Sequence, residues 1–161
     1  MVETKKAEFR SLRLRTLNDL RAEIDRLVQA DAQGGLRTSG NWTLGQAFGH
    51  IASWINFSYD GYPPSVRPPW FVKLYFSLQR SKIGVTPMPR GLRIPKMAGG
   101  TLGTEPLSTT EGAARLGAAV DRLEAGCPTQ ASPIFGVLTH EKWIAMNLRH
   151  AELHLGYMHP A

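Results

Sequence analysis

Apolar residues recur every three or four positions in five segments of the chain, which is the spacing of a helix that buries one face. Four of these segments are long and one is short and aromatic. The spacing predicts long helices over 3–32, 43–60, 109–125 and 139–157, and a short helix over 69–82. No segment alternates apolar and polar residues as a half-buried strand does, so no strand is predicted. The pattern therefore predicts an all-α fold.

Two of the long helices carry start signals. Thr43 is followed three residues later by Gln46, and Ser108 is followed by Glu111. In this pattern the hydroxyl caps the third helical residue and the longer side chain caps the backbone in return. Trp42 directly precedes the first of these caps, where it can fold over the new helix.

Between the short helix and the helix at 109–125 the chain is rich in helix breakers. Residues 83–107 contain four prolines and five glycines. That density predicts one long irregular loop, and loops of this length are usually lids, binding loops or disordered stretches. With 161 residues, the chain is expected to form a single domain over 1–161.

The composition gives a formal net charge of +6, from 19 Lys and Arg residues against 13 Asp and Glu residues. The excess is local, because no acidic residue lies between Asp60 and Glu105. The basic residues of that stretch are Arg67, Lys73, Arg80, Lys82, Arg90, Arg93 and Lys96. The rest of the chain is close to neutral. The positive charge is therefore confined to one stretch, which would suit a small anionic partner, and does not cover the whole protein surface.

Aromatic residues are interleaved with these basic ones, a composition that also occurs in single-strand nucleic-acid binding surfaces. Trp70, Phe71, Tyr75 and Phe76 recur at helical spacing, however, which favours packing, and nucleic acid is not expected as a partner. Docking of Trp70 and Phe71 on a membrane surface or on a second subunit stays open. The second of these would make the protein a homodimer.

Several classes are excluded. Cys127 is the single cysteine, so neither an internal disulfide nor a zinc finger built on cysteines can form. No run approaches the roughly 18–20 apolar residues of a transmembrane helix, and the first residues lack the apolar core of a signal peptide. We expect a reduced, cytoplasmic protein.

The candidate chemistry lies in the histidines. His150 and His154 are four residues apart on the last predicted helix, which places both imidazoles on one face within reach of a single metal ion. A tight site needs a third ligand, and His50, midway along the second helix, is the candidate. The alternative is that these histidines only pack. His140 and His159, at a helix start and near the chain end, are expected to face solvent.

The pair does not match the zinc-protease motif His-Glu-x-x-His. In that motif the general base follows the first ligand directly, but here the position holds Ala151. Glu152 lies two residues from each histidine and is expected to project to the other face of the helix. A zinc protease is therefore excluded.

Two parts of the sequence carry a family resemblance. The first is the run Asn41-Trp42-Thr43-Leu44-Gly45-Gln46 followed by His50. The second is the late helix Leu148-Arg149-His150-Ala151-Glu152-Leu153-His154-Leu155, preceded by Pro133-Ile134-Phe135-Gly136-Val137-Leu138-Thr139 and Glu141-Lys142-Trp143. These segments resemble the DinB-like superfamily of metal-binding helical proteins, and within it a branch of unknown function. The resemblance implies an up-down-down-up four-helix bundle with a metal site at His50, His150 and His154.

The resemblance also implies an activity. Characterised members of the superfamily include enzymes that use a low-molecular-weight thiol, so we expect a metal-dependent transferase or hydrolase acting on a small molecule. Zinc, nickel and iron all suit three imidazoles. Residues one helical turn from the ligands are expected to line the pocket: Gln46, Trp54, Trp143, Asn147 and Tyr157. A basic loop over the site, carrying Arg90 and Arg93, would suit an anionic substrate.

The alternative hypothesis is a non-catalytic DinB-like protein that acts in a stress response or in binding.

Overall fold

In a computed structural model of the protein, residues 2–66, 68–91 and 100–161 are described. This part of the chain is mostly helical, as predicted, with five α-helices and two three-residue strands. The helices are α1 (Leu17–Ala32), α2 (Leu44–Asp60), α3 (Trp70–Leu78), α4 (Thr109–Ala125) and α5 (His140–Leu155). The strands are β1 (Leu36–Thr38) and β2 (Met158–Pro160), and a 3₁₀ turn, Arg80–Lys82, follows α3. None of the helices in these residues is long and apolar enough to cross a membrane.

The core lies between the four long helices. α1 contacts α4 and α5, and α2 contacts the same two helices. Large side chains that are fully buried come from all four: Leu20, Leu27, Phe48, Ile51, Ile55, Leu116, Leu123, Trp143 and Leu155.

α2 and α4 make the most extensive helix–helix contact. Both begin at the predicted capping boxes, Thr43 with Gln46 and Ser108 with Glu111. Their first turns nearly touch, because a Cβ added at Gly112 would lie 2.6 Å from the carbonyl oxygen of Gly45. Their last turns also meet. The two helices therefore run in parallel.

Two contacts join the last turns of α2 and α4. Arg122 near the end of α4 bonds Asp60 at the end of α2, at 2.7 Å. Tyr59 Oη donates a 2.7 Å hydrogen bond to the carbonyl oxygen of Gly126.

The direction of α1 follows from its contacts with α4. Arg21, in its first turns, bonds Asp121 and Glu124 near the end of α4, at 2.7 and 2.8 Å. Asp31, in its last turn, accepts a 2.5 Å hydrogen bond from Thr109 at the start of α4. α1 and α4 are therefore antiparallel.

The first helix starts fourteen residues later than predicted, at Leu17 and not at residue 3. Its start is set by a capping box between Thr16 and Asp19. The residues before it cross the end of α5. There the Phe9 ring lies against Gly156, so closely that a Cβ added at Gly156 would be 2.3 Å from it.

Leu14, in the same N-terminal segment, is buried between two charged residues of α5. Its N–H donates a 2.5 Å hydrogen bond to Glu152, and its carbonyl oxygen accepts one from Arg149. Arg149 and Glu152 are themselves buried and form an ion pair at 2.7 Å. The segment thus supplies one polar partner to each of these two buried charges.

The two strands are a feature that the sequence pattern did not predict. β1 and β2 pair in antiparallel fashion, with Arg37 opposite His159. Three residues are too few to show an alternating pattern, which is why the strands were missed. α5 ends at Leu155 and is capped at Gly156, so Tyr157 lies beyond the helix and not inside it.

The described parts of the predicted loop, 83–91 and 100–107, contain neither α-helix nor strand, as expected. Residues 92–99 of that loop, including Arg93 and Lys96, lie outside the described residues, as does Arg67. The predicted short helix is present as α3 and ends at Leu78.

Candidate metal centre

The structure brings His50, His150 and His154 together. His50 is buried in the middle of α2, and the other two lie one turn apart on the facing side of α5. His150 Nε2 is 3.2 Å from His50 Nε2 and 3.0 Å from His154 Nε2. One ring nitrogen from each residue falls within 4.8 Å of the others, so all three can point at one ion.

A backbone contact sets which nitrogen of His50 is available. Its Nδ1 lies 2.6 Å from the carbonyl oxygen of Leu102, in the loop before α4. Since a carbonyl only accepts hydrogen bonds, Nδ1 carries the proton and Nε2 keeps a free lone pair. A second-shell hydrogen bond of this kind orients a metal-binding histidine and fixes its tautomer.

All three imidazoles are held in the neutral form that a metal requires. Burial lowers the pKa of His50 from 6.5 to about 4, and the hydrogen bond to Leu102 and the charge of Glu105 offset part of that effect. Burial also lowers the pKa of His150 and His154 well below 6.5, and the neighbouring histidines lower it further. Protons therefore do not occupy these nitrogens at neutral pH.

Aromatic rings surround the histidines. Trp42 stacks on His154 with ring centroids 4.9 Å apart and lies 4.8 Å from His50. Trp54 lies 6.0 Å from His50 and 6.1 Å from His150, and its own neighbour is Tyr62 at 6.2 Å. The indole nitrogen of Trp54 is buried without a hydrogen-bond partner. An apolar wall of this kind keeps the local dielectric low.

The predicted pocket residues fall in different places. Trp54 contacts the histidines, as described. Gln46 caps α2 and donates a 3.1 Å hydrogen bond to the carbonyl oxygen of Thr104, which ties the loop to the helix near His50. Asn147 is buried and donates to the carbonyl oxygen of Trp143, 2.9 Å away, and Trp143 itself belongs to the hydrophobic core.

Tyr157 has other neighbours. Its ring packs edge-on against Phe9 at 5.0 Å, and its hydroxyl donates a 3.0 Å hydrogen bond to the carbonyl oxygen of Thr4. These contacts place it against the N-terminal segment.

Sequence reasoning missed two contributors to the site. Leu102 acts through its backbone, which no residue pattern reveals. Trp42 was read only as a residue that folds over the start of α2, whereas it also stacks on His154.

The expectation that His140 and His159 face solvent is wrong. His140 is half-buried and its Nε2 lies 2.6 Å from the carbonyl oxygen of Leu123, at the end of α4. His159 is half-buried in β2, where its Nε2 lies 2.9 Å from the hydroxyl of Ser39. His140 thus links α5 to α4, and His159 links β2 to the residue that follows β1.

Glu152 is directed away from the three histidines, as predicted. It accepts the hydrogen bond of Leu14 and pairs with Arg149. Glu152 therefore stabilises the fold and does not act as a base at the histidines.

Arg90, one of the loop residues expected over the site, lies instead over the Phe9 ring, 5.0 Å from its centroid. Its guanidinium also donates to the carbonyl oxygen of Ala7 at 3.4 Å. The part of the loop that covers His50 is residues 102–104, which contribute backbone atoms.

These observations define a mostly helical protein with a cluster of three neutral histidines that can hold a metal ion. The chain belongs to the family described as "Protein of unknown function (DUF1569)", whose model matches residues 6–161. No curated protein and no solved structure gives a significant match to the chain.

Proposed function

We propose that this protein is a metal-dependent enzyme whose centre is His50, His150 and His154. The observation that carries the proposal is the convergence of three Nε2 atoms, with His150 Nε2 at 3.0 and 3.2 Å from the other two. At these separations, two neutral nitrogens that both present lone pairs repel each other. A cation bound between the three nitrogens, or a proton shared among them, removes that repulsion.

The spacing fits a divalent transition metal. Metal–nitrogen bonds of about 2.0–2.1 Å place two ligand nitrogens roughly 2.8–3.4 Å apart for bond angles between 90° and 109°. Both distances between the histidine nitrogens fall in this range. Zinc, nickel and iron all accept imidazole ligands, and the donor set alone does not choose between them.

Three ligands from the protein leave coordination positions free, which is typical of a catalytic site and not of a structural one. A metal ion held there would lower the pKa of a bound thiol or water, or polarise a carbonyl group. The chain's own contribution is to hold the three imidazoles neutral and to surround them with Trp42 and Trp54. Glu152 is turned away from the histidines, where it pairs with Arg149, whereas the charge of Glu105 acts on His50. The proposed reaction is thiol-dependent transfer to, or hydrolysis of, a small molecule.

The helix directions support membership of the DinB-like superfamily. The four long helices contact one another in a ring, in the order α1, α4, α2, α5. α2 and α4 are parallel, and α1 is antiparallel to α4. We infer that the four helices form the up-down-down-up bundle of that superfamily, with α3 and the loop as additions.

Metal content tests the proposal. Protein prepared without a histidine tag is expected to hold near-stoichiometric metal, measured by elemental analysis, and His150→Ala is expected to lose it. His159→Ala is the matched control, because it removes a half-buried histidine outside the cluster. Metal that stays in the His50→Ala, His150→Ala, His154→Ala triple variant would refute the site.

Activity is tested separately on the metal-loaded protein. We expect transfer of a low-molecular-weight thiol to small electrophilic substrates, including anionic ones, and loss of that transfer on chelation. If the metal-loaded protein turns over neither thiol-transfer nor hydrolysis substrates, the result would favour a non-catalytic function.

The alternative function is a non-catalytic DinB-like protein of stress response or binding. One observation favours it: the aromatic rings that contact the histidines from outside the cluster belong to Trp42 and Trp54, which can bind a ligand but do not transfer protons. A metal-loaded protein that binds a small molecule tightly without changing it would identify this function.

A further inference from the structure

The outward face of α3 is apolar over its whole length. Its residues are between 54% and 75% exposed: Trp70, Phe71, Leu74, Tyr75 and Leu78. At about 100° per residue, these positions fall within an arc of roughly 140° on the helix surface. Large apolar side chains on a protein surface are ordinary when scattered, but a contiguous patch of this kind marks an interaction site.

The packing of α3 on the rest of the protein uses its opposite side. Val72 and Phe76 are half-buried, and the Phe76 ring meets Phe135 at 5.6 Å. Just beyond the helix, Arg80 Nε donates a 2.7 Å hydrogen bond to the carbonyl oxygen of Phe135. α3 is therefore anchored to the rest of the protein through the side opposite its exposed apolar face.

Positive charge borders the apolar face. Lys73 lies on α3 and Lys82 in the turn after it, and both are exposed. The stretch between Asp60 and Glu105 contains seven Lys and Arg residues and no acidic residue. An apolar helix face with Trp, Phe and Leu, flanked by cations, is the composition of helices that lie in the interface of a membrane with anionic lipids.

We propose that α3 docks this protein on an anionic membrane surface. The helix lies in the plane of the interface, with Trp70, Phe71 and Leu78 at the boundary between headgroups and acyl chains. Lys73 and Lys82 face the anionic headgroups. Each cation held near such a surface strengthens binding about fivefold.

Charge disfavours one alternative occupant of this face, and the side chains on the face disfavour the other. A symmetric dimer through α3 would bring this acid-free stretch against its own copy, and like charges would meet. Nucleic acid would place bases on the aromatic rings, but Leu78 and Leu74 share that face and offer no stacking surface.

Sedimentation with lipid vesicles tests the proposal, using phosphatidylcholine vesicles with and without phosphatidylserine. We expect the protein to bind the anionic vesicles and to bind the neutral ones far less. Trp70 is the exposed tryptophan among those described, so its fluorescence is expected to shift to the blue on binding.

Two variants with matched controls separate the apolar and electrostatic contributions. Trp70→Ser with Leu78→Ser is expected to reduce vesicle binding by more than tenfold, whereas Val2→Ser, an exposed apolar residue outside α3, leaves it unchanged. Lys73→Glu with Lys82→Glu is expected to reduce binding at least 25-fold, while Arg115→Glu on α4 has little effect. Because all of these side chains are exposed, circular dichroism should show unchanged folding.

Three results would overturn the proposal. One is the absence of binding to anionic vesicles. Another is a dimer in size-exclusion chromatography that Trp70→Ser with Leu78→Ser converts to a monomer, which would assign the face to a second copy. The third is binding of a single-stranded oligonucleotide with a steep salt dependence, abolished by the same variant. None of these results depends on whether the histidines hold a metal.

Discussion

His50 donates its Nδ1 proton to the carbonyl oxygen of Leu102 over 2.6 Å, although the two residues are 52 positions apart in the sequence. This contact joins the middle of α2 to the loop before α4. It sets the orientation of one candidate ligand through a residue whose side chain plays no part. The loop is therefore a component of the site, and its backbone geometry should control metal affinity.

The first prediction concerns Gly103, which follows Leu102 and has a φ of +72°. A Cβ at this position would lie 2.7 Å from the Cβ of Ser53 and 3.4 Å from the Cα of His50. Gly103→Ala should displace the Leu102 carbonyl from His50 and weaken metal binding by about 10–100-fold, the usual effect of losing such a partner. Competition with a chelator measures the affinity.

Gly34→Ala is its matched control. Gly34 has a φ of +71° and no atom within 4 Å of an added Cβ, so it carries the same backbone strain without the collision. Equal losses of metal affinity in the two variants would contradict a specific role for the Leu102 carbonyl.

The second prediction is a pH dependence of stability in the metal-free protein. His50 has a pKa of about 4 when folded and an ordinary value near 6.5 when unfolded. Between these values the unfolded chain takes up a proton that the folded protein does not, so stability falls as pH falls from 6.5 towards 4. His50 alone should account for about 3 kcal/mol across that window.

Urea unfolding at several pH values, with a chelator present, checks this dependence. His50→Gln should show a shallower loss of stability over the same range, because it has no group to protonate. A wild-type protein equally stable at pH 7 and pH 4.5 would be inconsistent with a buried, neutral His50.

The third prediction concerns the buried ion pair of Arg149 and Glu152. Glu152→Ala leaves the Arg149 charge uncompensated and removes the acceptor of the Leu14 N–H. The free energy of unfolding should drop by about 3–5 kcal/mol. Denaturant titration measures it.

Asp60→Ala provides the comparison, since it breaks the exposed pair with Arg122 and should cost less than about 1 kcal/mol. The double change Arg149→Met with Glu152→Leu should recover much of the loss, because no buried charge remains. A double variant less stable than Glu152→Ala would argue against charge burial as the cause.

The fourth prediction uses two glycines of α4. A Cβ at Gly112 would lie 2.6 Å from the carbonyl oxygen of Gly45, where α2 and α4 cross, whereas nothing lies within 4 Å at Gly117. Gly112→Ala should destabilise the protein by about 1–3 kcal/mol through overpacking. Gly117→Ala should stabilise it by roughly 0.5–1 kcal/mol, since alanine is the better helix former. Thermal unfolding of both variants gives the comparison. Similar shifts in the two melting temperatures would show that the contact between α2 and α4 has room for a methyl group.

The helices were largely predictable because their signals are local. Thr43 with Gln46 and Ser108 with Glu111 set the starts of α2 and α4 within a residue of the prediction. The same kind of signal at Thr16 and Asp19 was overlooked, and the first helix was extended through a segment that is held by contacts with α5. Those contacts are distant in sequence, so no local pattern reveals them.

The candidate site was predictable only in part. Spacing alone places His150 and His154 on one face of a helix, while the inclusion of His50 rested mainly on a family resemblance. The backbone acceptor at Leu102 and the ring of Trp42 on His154 depend on how the loop and the chain before α2 fold back. Likewise, the half-buried positions of His140 and His159 follow from tertiary neighbours, Leu123 and Ser39.

The position of Leu14 also has a consequence for the order of events during synthesis. Its two polar partners, Glu152 and Arg149, come 138 and 135 residues later in the chain. While the chain emerges from the ribosome, Leu14 lacks these two partners until α5 has been translated. Contacts of such long sequence separation slow folding, and here they postpone the burial of Leu14 until α5 is available.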